Sequence, residues 1–85
     1  MTPISGLRVD QTLDVRGMAR VEAYDRAVTT LKGMPEHDTL ELYLDEGDPL
    51  NTIPFGLRAE GHEILVSEPA QQGVRLLIRK RELIP

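Results

Sequence analysis

Few of the 85 residues carry side chains that could do chemistry, and their spacing rules out most of what they could do. The chain has no cysteine, which removes thiolate nucleophiles, thiolate metal ligands, disulfides and persulfide carriage on its own atoms. His37 and His62 are far apart in sequence and share no helical pairing. The acidic loop Asp45-Glu46-Gly47-Asp48 lacks the alternating ligand spacing of a calcium loop. Asp45 and Glu46 are adjacent at the end of a strand-like run, so their carboxylates point apart and make a poor acid–base pair. No glycine-rich phosphate loop and no Ser/His/Asp arrangement can be assembled. These residues lead to no catalytic group, no metal site and no cofactor; the chain is expected to work by binding a partner and not as an enzyme.

Composition narrows the partner. Ten basic residues against fourteen acidic ones give a net charge of −4, which opposes nonspecific attraction to nucleic acid or to an anionic membrane. The cluster Arg75, Arg79, Lys80 and Arg81 is a local exception. The only aromatics are Tyr24, Tyr43 and Phe55, too few to stack several bases on one surface. Nucleic-acid binding is therefore a minor reading, weak and nonspecific. Met1-Thr2-Pro3-Ile4-Ser5-Gly6 shows no basic stretch followed by an apolar one, so no signal peptide is expected. No apolar run reaches membrane-spanning length. A cytoplasmic protein with no membrane partner, monomeric, is the resulting expectation.

The elements that would position these residues follow from periodicity. Residues 1–10, with Pro3, Ser5 and Gly6, read as a loose leader, and residues 11–85 as a single domain. Leu13 and Val15 alternate with polar neighbours as a short strand, broken at Gly17. Tyr24, Ala27, Val28 and Leu31 form one stripe of a helix over 19–32, stopped by Gly33 and Pro35. Leu40, Leu42 and Leu44 alternate with Glu41 and Tyr43 in a half-buried strand. Asp48 is a candidate N-cap and Pro49 a first helical residue for a second helix with Leu50, Ile53 and Leu57 inward. Pro54 leaves two alternatives, a kinked helix or one that starts at Thr52. Residues 63–67 and 74–80 are two further strands joined through 69–73 as a hairpin. The order β-α-β-α-β-β fits an α+β two-layer sandwich, both helices on one face of a four-stranded mixed sheet.

Leu13-Asp14-Val15-Arg16-Gly17-Met18 precedes the first helix, Asp45-Glu46 ends the second strand, and Ile53-Pro54 follows. Gly61-His62 leads into the third strand, and Ile78-Arg79-Lys80 closes the fourth. This succession resembles the TusA/SirA-like sulfur-carrier family of small bacterial proteins over roughly residues 11–82. The resemblance implies the same sandwich, a bacterial cytoplasmic setting, and partners among sulfur-relay or tRNA-thiolation proteins. Carriers of that family have a Cys-Pro-x-Pro motif after this glycine, where the helix N-terminus stabilises a thiolate or persulfide. Here Arg20 stands at the cysteine position, while Val21 and Ala23 replace the prolines. Sulfur transfer by this chain is therefore not expected. A noncatalytic interaction or regulatory module is, with an accessory role in positioning a partner's persulfide as the alternative.

Two docking surfaces are expected. At the start of the first helix, Arg16, Gly17 and Arg20 would meet an anion or an acidic side chain. As an ordinary surface residue, Arg20 would instead pair with Asp14 or Glu22. On the uncovered sheet face, Tyr43, Leu65 and Leu77 would form an apolar centre rimmed by Arg75 and Arg79, beside Glu41 and Ser67.

Overall fold

A computed structural model describes residues 8–81. The elements are β1 (Gln11–Asp14), α1 (Arg20–Lys32), β2 (Thr39–Leu44), α2 (Asp48–Ala59), β3 (Glu63–Ala70) and β4 (Gly73–Arg79). The sheet order is β1-β2-β4-β3, with β1 parallel to β2 and the other pairs antiparallel. This is the α+β arrangement that the periodicities predict. Residues 1–7 of the expected leader lie outside the described residues. Asp10, also counted in that leader, is bonded to the sheet: its N–H donates to the Thr39 carbonyl at 2.9 Å, and its Oδ2 accepts the Thr39 N–H at 2.8 Å.

Period-two alternation in β2 and β4 builds the core. Leu40 pairs with Ile78, Leu42 with Leu76 and Leu44 with Val74, so all six share one face. Ala23, Ala27 and Leu31 of α1 and Ile53 and Leu57 of α2 complete the same buried cluster. The small alanines bring α1 close to the sheet. Gly56 does the same between the helices, since a Cβ there would strike the Tyr24 ring. No helix among the described residues is long and apolar enough to cross a membrane.

The helix ends differ from the sequence expectation in instructive ways. Gly33 is right-handed, with φ −86°, and so needs no glycine. Lys80, only 6 % exposed, closes this end instead: its Nζ donates to the carbonyls of Leu31, at 2.5 Å, and Met34, at 3.1 Å. For α2 the N-cap is Gly47, and Asp48 is already helical, its charge in the first turn where the dipole favours it. The helix runs through Pro54, which removes the start at Thr52. Pro54 is buried, so its ring packs inward while its missing N–H leaves the Leu50 carbonyl without an i+4 donor.

The β3–β4 hairpin also departs from expectation. β3 continues through Pro69 to Ala70, and the turn is only Gln71-Gln72. Between Ile64 and Val66 the register slips: Ile64 opposes Ile78, yet Val66 opposes Leu77. Leu65 is the extra residue of a bulge, and the slip reverses the face of everything after it.

Gly73 lies where β4 passes the end of β2, and a Cβ there would sit inside the van der Waals envelope of the Leu44 carbonyl oxygen. Gly73→Ala is expected to destabilise the chain by about 1–3 kcal/mol, as overpacking against backbone does. At Gly33 a Cβ meets only ordinary contacts, 3.7 Å from the Thr30 carbonyl oxygen. Gly33→Ala should therefore be neutral or stabilise by up to about 1 kcal/mol. Urea melts of both variants beside the wild type check the pair, and equal losses at the two sites would contradict the assignment.

Candidate functional site

The β1–α1 loop is organised by Asp14 and Asp45. Arg16 turns back onto Asp14: its Nε donates to Oδ1 at 2.9 Å, its Nη2 to Oδ2 at 2.7 Å, and its backbone N–H to Oδ1 at 3.0 Å. Its remaining Nη1 donates to the Gln71 carbonyl at 2.6 Å, and the guanidinium lies 5.0 Å from the Tyr43 ring centroid. Arg16 thus joins β1, β2 and the β3–β4 turn, each of its three side-chain nitrogens donating one hydrogen bond and the guanidinium lying over the Tyr43 ring. The Arg16 side-chain hydrogen bonds, reinforced by its backbone N–H, hold the Asp14 carboxyl at about 2 against an ordinary 3.8. Gly17 is left-handed, with φ +83°, and its N–H donates to Asp45 Oδ2 at 2.8 Å. The sequence predicts one anion site shared by Arg16, Gly17 and Arg20; instead the donors of Arg16 are engaged by Asp14 and Gln71 and the Gly17 N–H by Asp45.

Arg20 is the first residue of α1 and is exposed. The N-cap is Ala19, with φ −61° and ψ 150°, and no side chain caps the helix. The Ala19 carbonyl accepts the Ala23 N–H at 2.8 Å, which starts the helical ladder. Neither pairing expected for an ordinary surface role holds Arg20. Asp14 is taken by Arg16, and Glu22 lies 3.9 Å from Arg26. Beside Arg20, Val21 is 64 % exposed.

The sheet face opposite the helices is not the open apolar patch expected. Leu77 is 3 % exposed. Leu65 is half-buried at the bulge, and the register slip sets Val66 and Glu68 opposite Leu77 and Arg75. Ser67 is thereby moved opposite Leu76 and lines a cleft of about 190 Å³ with Glu46, Leu50, Glu68, Pro69 and Val74. Arg75 bridges Glu41, at 2.5 Å, and Glu68, at 2.8 Å, and Glu41 also accepts from Thr12 at 3.0 Å. Burial acts to raise the Glu41 carboxyl, but the hydrogen bonds from Arg75 and Thr12 prevail and leave it lowered. Arg79 and Arg81 reach Glu63 at 3.7 and 3.4 Å. Tyr43 is half-buried beneath Arg16.

Of the ten basic side chains, Arg20 and Lys32 alone make no ion pair, hydrogen bond or ring contact among the described residues. Lys32 stands at the C-terminal end of α1, where the dipole favours a cation; Arg20 stands at the end where it does not. Among the described residues no group of three or more His, Cys, Asp or Glu could hold a metal ion. No protein-family model matches the sequence.

The Arg16–Asp14 pair has a pH signature. Because the folded carboxyl is depressed, the stability it contributes is present above its ordinary pKa near 3.8 and is lost as the pH falls toward about 2. In Arg16→Ala the Asp14 carboxyl keeps only the backbone N–H, so it is expected to titrate closer to its ordinary value and that acid-range component of the stability curve should shrink. Carbon-detected NMR titration of the Asp14 carboxyl in both proteins checks this. An unchanged midpoint in the variant would mean that Arg16 does not hold Asp14.

Proposed function

We propose that this chain is a noncatalytic, cysteine-less relative of the TusA/SirA-like sulfur carriers that serves as a protein-interaction module, docking a partner at the start of α1. The observation that carries the reading is the uncapped helix end with Arg20 and Val21 both exposed, where the sequence resemblance sets the carriers' cysteine. An exposed cation, free helix N–H groups and an apolar side chain together suit an acidic protein surface with an apolar contact at its centre. The β-α-β-α-β-β sandwich agrees with what the resemblance implies. The sheet face is a poorer docking surface, because Arg75 and Arg79 are already paired and Leu77 is buried. The same pairings, with Lys80 buried, leave little free positive charge for nucleic acid. A bacterial cytoplasmic sulfur-relay protein is the partner class the resemblance suggests, and a persulfide held by such a partner is an anion this helix end could receive.

Arg20→Ala and Arg20→Glu are expected to melt like the wild type, because among the described residues Arg20 makes no ion pair, hydrogen bond or ring contact that they would remove. A cation in the first turn opposes the dipole, so both changes can even be slightly stabilising. Binding to a sulfur-relay protein identified by quantitative co-purification should weaken by about 1.5–3 kcal/mol in Arg20→Ala, the scale of a charge-assisted hydrogen bond. Arg20→Glu should weaken it further. If both variants keep wild-type affinity, docking is not at this helix end.

The family reading makes a separate prediction. Incubation with a cysteine desulfurase and cysteine should add no sulfur to the chain by intact mass, since no thiol exists to accept it. Stable added sulfur would overturn the noncatalytic assignment.

A further inference from the structure

The end of β4 is fastened by a short ladder of polar contacts. The Lys80 N–H donates to the Asp38 carbonyl at 2.8 Å, and the His37 N–H donates to the Lys80 carbonyl at 2.8 Å. The Lys80 ammonium is held by the Leu31 and Met34 carbonyls. All of these acceptors are backbone oxygens, which do not titrate. One residue further on the pattern changes. The Arg81 N–H donates to Nδ1 of His62, at 3.2 Å. His62 is itself anchored to the end of α2, its N–H donating to the Leu57 carbonyl at 3.1 Å.

We propose that His62 is a pH-sensitive latch: as neutral imidazole it ties the end of β4 to the end of α2 through the Arg81 N–H, and as imidazolium it releases Arg81. The chemistry is that of a single nitrogen. Nδ1 can accept only while its lone pair is free, with the ring proton on Nε2. Protonation sets two N–H groups against each other and cancels the bond, while Lys80 keeps its carbonyl partners.

The charges around His62 fix the direction. Glu60 faces it from the end of α2, and Glu63 opens β3 beside it. Lys80 and Arg81 approach from β4. Glu63 is engaged with the Arg79 and Arg81 guanidiniums. Burial first, and then the Lys80 ammonium, disfavour the imidazolium; Glu60 opposes them, and the net shift is downward from 6.5. The latch is therefore closed at neutral pH and opens only on acidification. A folded-state pKa below the unfolded value also means that stability falls as the pH drops from about 6.5. His37 is exposed, and only its backbone N–H enters the ladder.

The test is an NMR titration of the full-length, ¹⁵N-labelled chain from pH 8 to 5. Imidazole nitrogen shifts should show the Nε2–H tautomer of His62 at neutral pH and a midpoint below 6.5. The Arg81 amide should lose about tenfold or more of its exchange protection with that same midpoint, roughly the loss of one net hydrogen bond. The Lys80 and His37 amides should hold theirs. In His62→Asn, whose side-chain oxygen accepts without titrating, Arg81 should stay protected throughout. The proposal is overturned if the neutral ring carries its proton on Nδ1, if His62 titrates above 6.5, or if wild-type Arg81 ignores the titration. These outcomes do not depend on whether the α1 start binds a partner.

Discussion

The pairing of β2 with β4 is the constraint on which the other elements depend. These are the two central strands, and their alternation sets six aliphatic side chains, Leu40 to Leu44 and Val74 to Ile78, on one side of the sheet. Both helices must cover that side, because each carries one apolar stripe and has no other surface on which to bury it. The period of two then forces Glu41, Tyr43, Arg75, Leu77 and Arg79 onto the opposite side, whatever they do there. A one-residue slip between β2 and β4 would exchange the two sets, so the register is strongly specified. The edge strands tolerate more: β3 accepts a bulge and Pro69, both devices that blunt an exposed edge.

A second layer of organisation comes from how the chain uses its cations. With fourteen acids against ten bases, positive charge is the scarcer kind. Arg16 closes the β1–α1 loop over Tyr43, Arg75 clamps two carboxylates across the sheet, and Lys80 ends α1. These groups join segments far apart in sequence, so each is geometrically constrained in a way that an isolated surface pair is not. A buried ammonium held only by carbonyls, as at Lys80, is costly to desolvate, and its removal would leave the Met34 carbonyl without a donor among the described residues and the Leu31 carbonyl with the Met34 N–H alone. The arginines that looked available for a partner from sequence are mostly occupied in this way.

What the sequence made legible was whatever depends on local periodicity. The α1 stripe and the alternation of β2 read directly, and so did the element order β-α-β-α-β-β. Features set by long-range contact did not. The bulge at Leu65 leaves no local mark, because Ile64-Leu65-Val66 is equally apolar in either register; reading the alternation straight through therefore put Ser67 on the wrong face. Lys80 ends a helix 49 positions earlier, a pairing that exists only after the sheet forms. Asp48 is a candidate cap on sequence because its side chain is a good acceptor, yet Gly47, with φ +90°, makes the turn and releases Asp48 into the helix. At the candidate site, Arg20 was legible from its position after Gly17. The commitment of Arg16 was not, since its partner at Gln71 lies on another strand pair.

The two helix starts make an informative contrast. β1 and β2 are parallel and each is followed by a helix, so α1 and α2 both begin at the same end of the sheet. The start of α2 follows the rules that favour a helix: a left-handed glycine before it, an acid in its first turn and a proline beside that acid. The start of α1 breaks two of them. Its cap position holds alanine, which forgoes about 1 kcal/mol that Ser, Thr, Asp or Asn would supply. Its first residue is a cation, which opposes the dipole by about 0.3–1 kcal/mol, offset in part by Glu22. Neither choice is compensated by a contact of Arg20 among the described residues, and the exposed Val21 adds an unburied apolar surface. Local choices that work against the element they sit in mark positions where the fold is not what the sequence serves. By that criterion the α1 start is set apart from the α2 start beside it, and this, more than the absence of a thiol, is why the proposed docking end lies there.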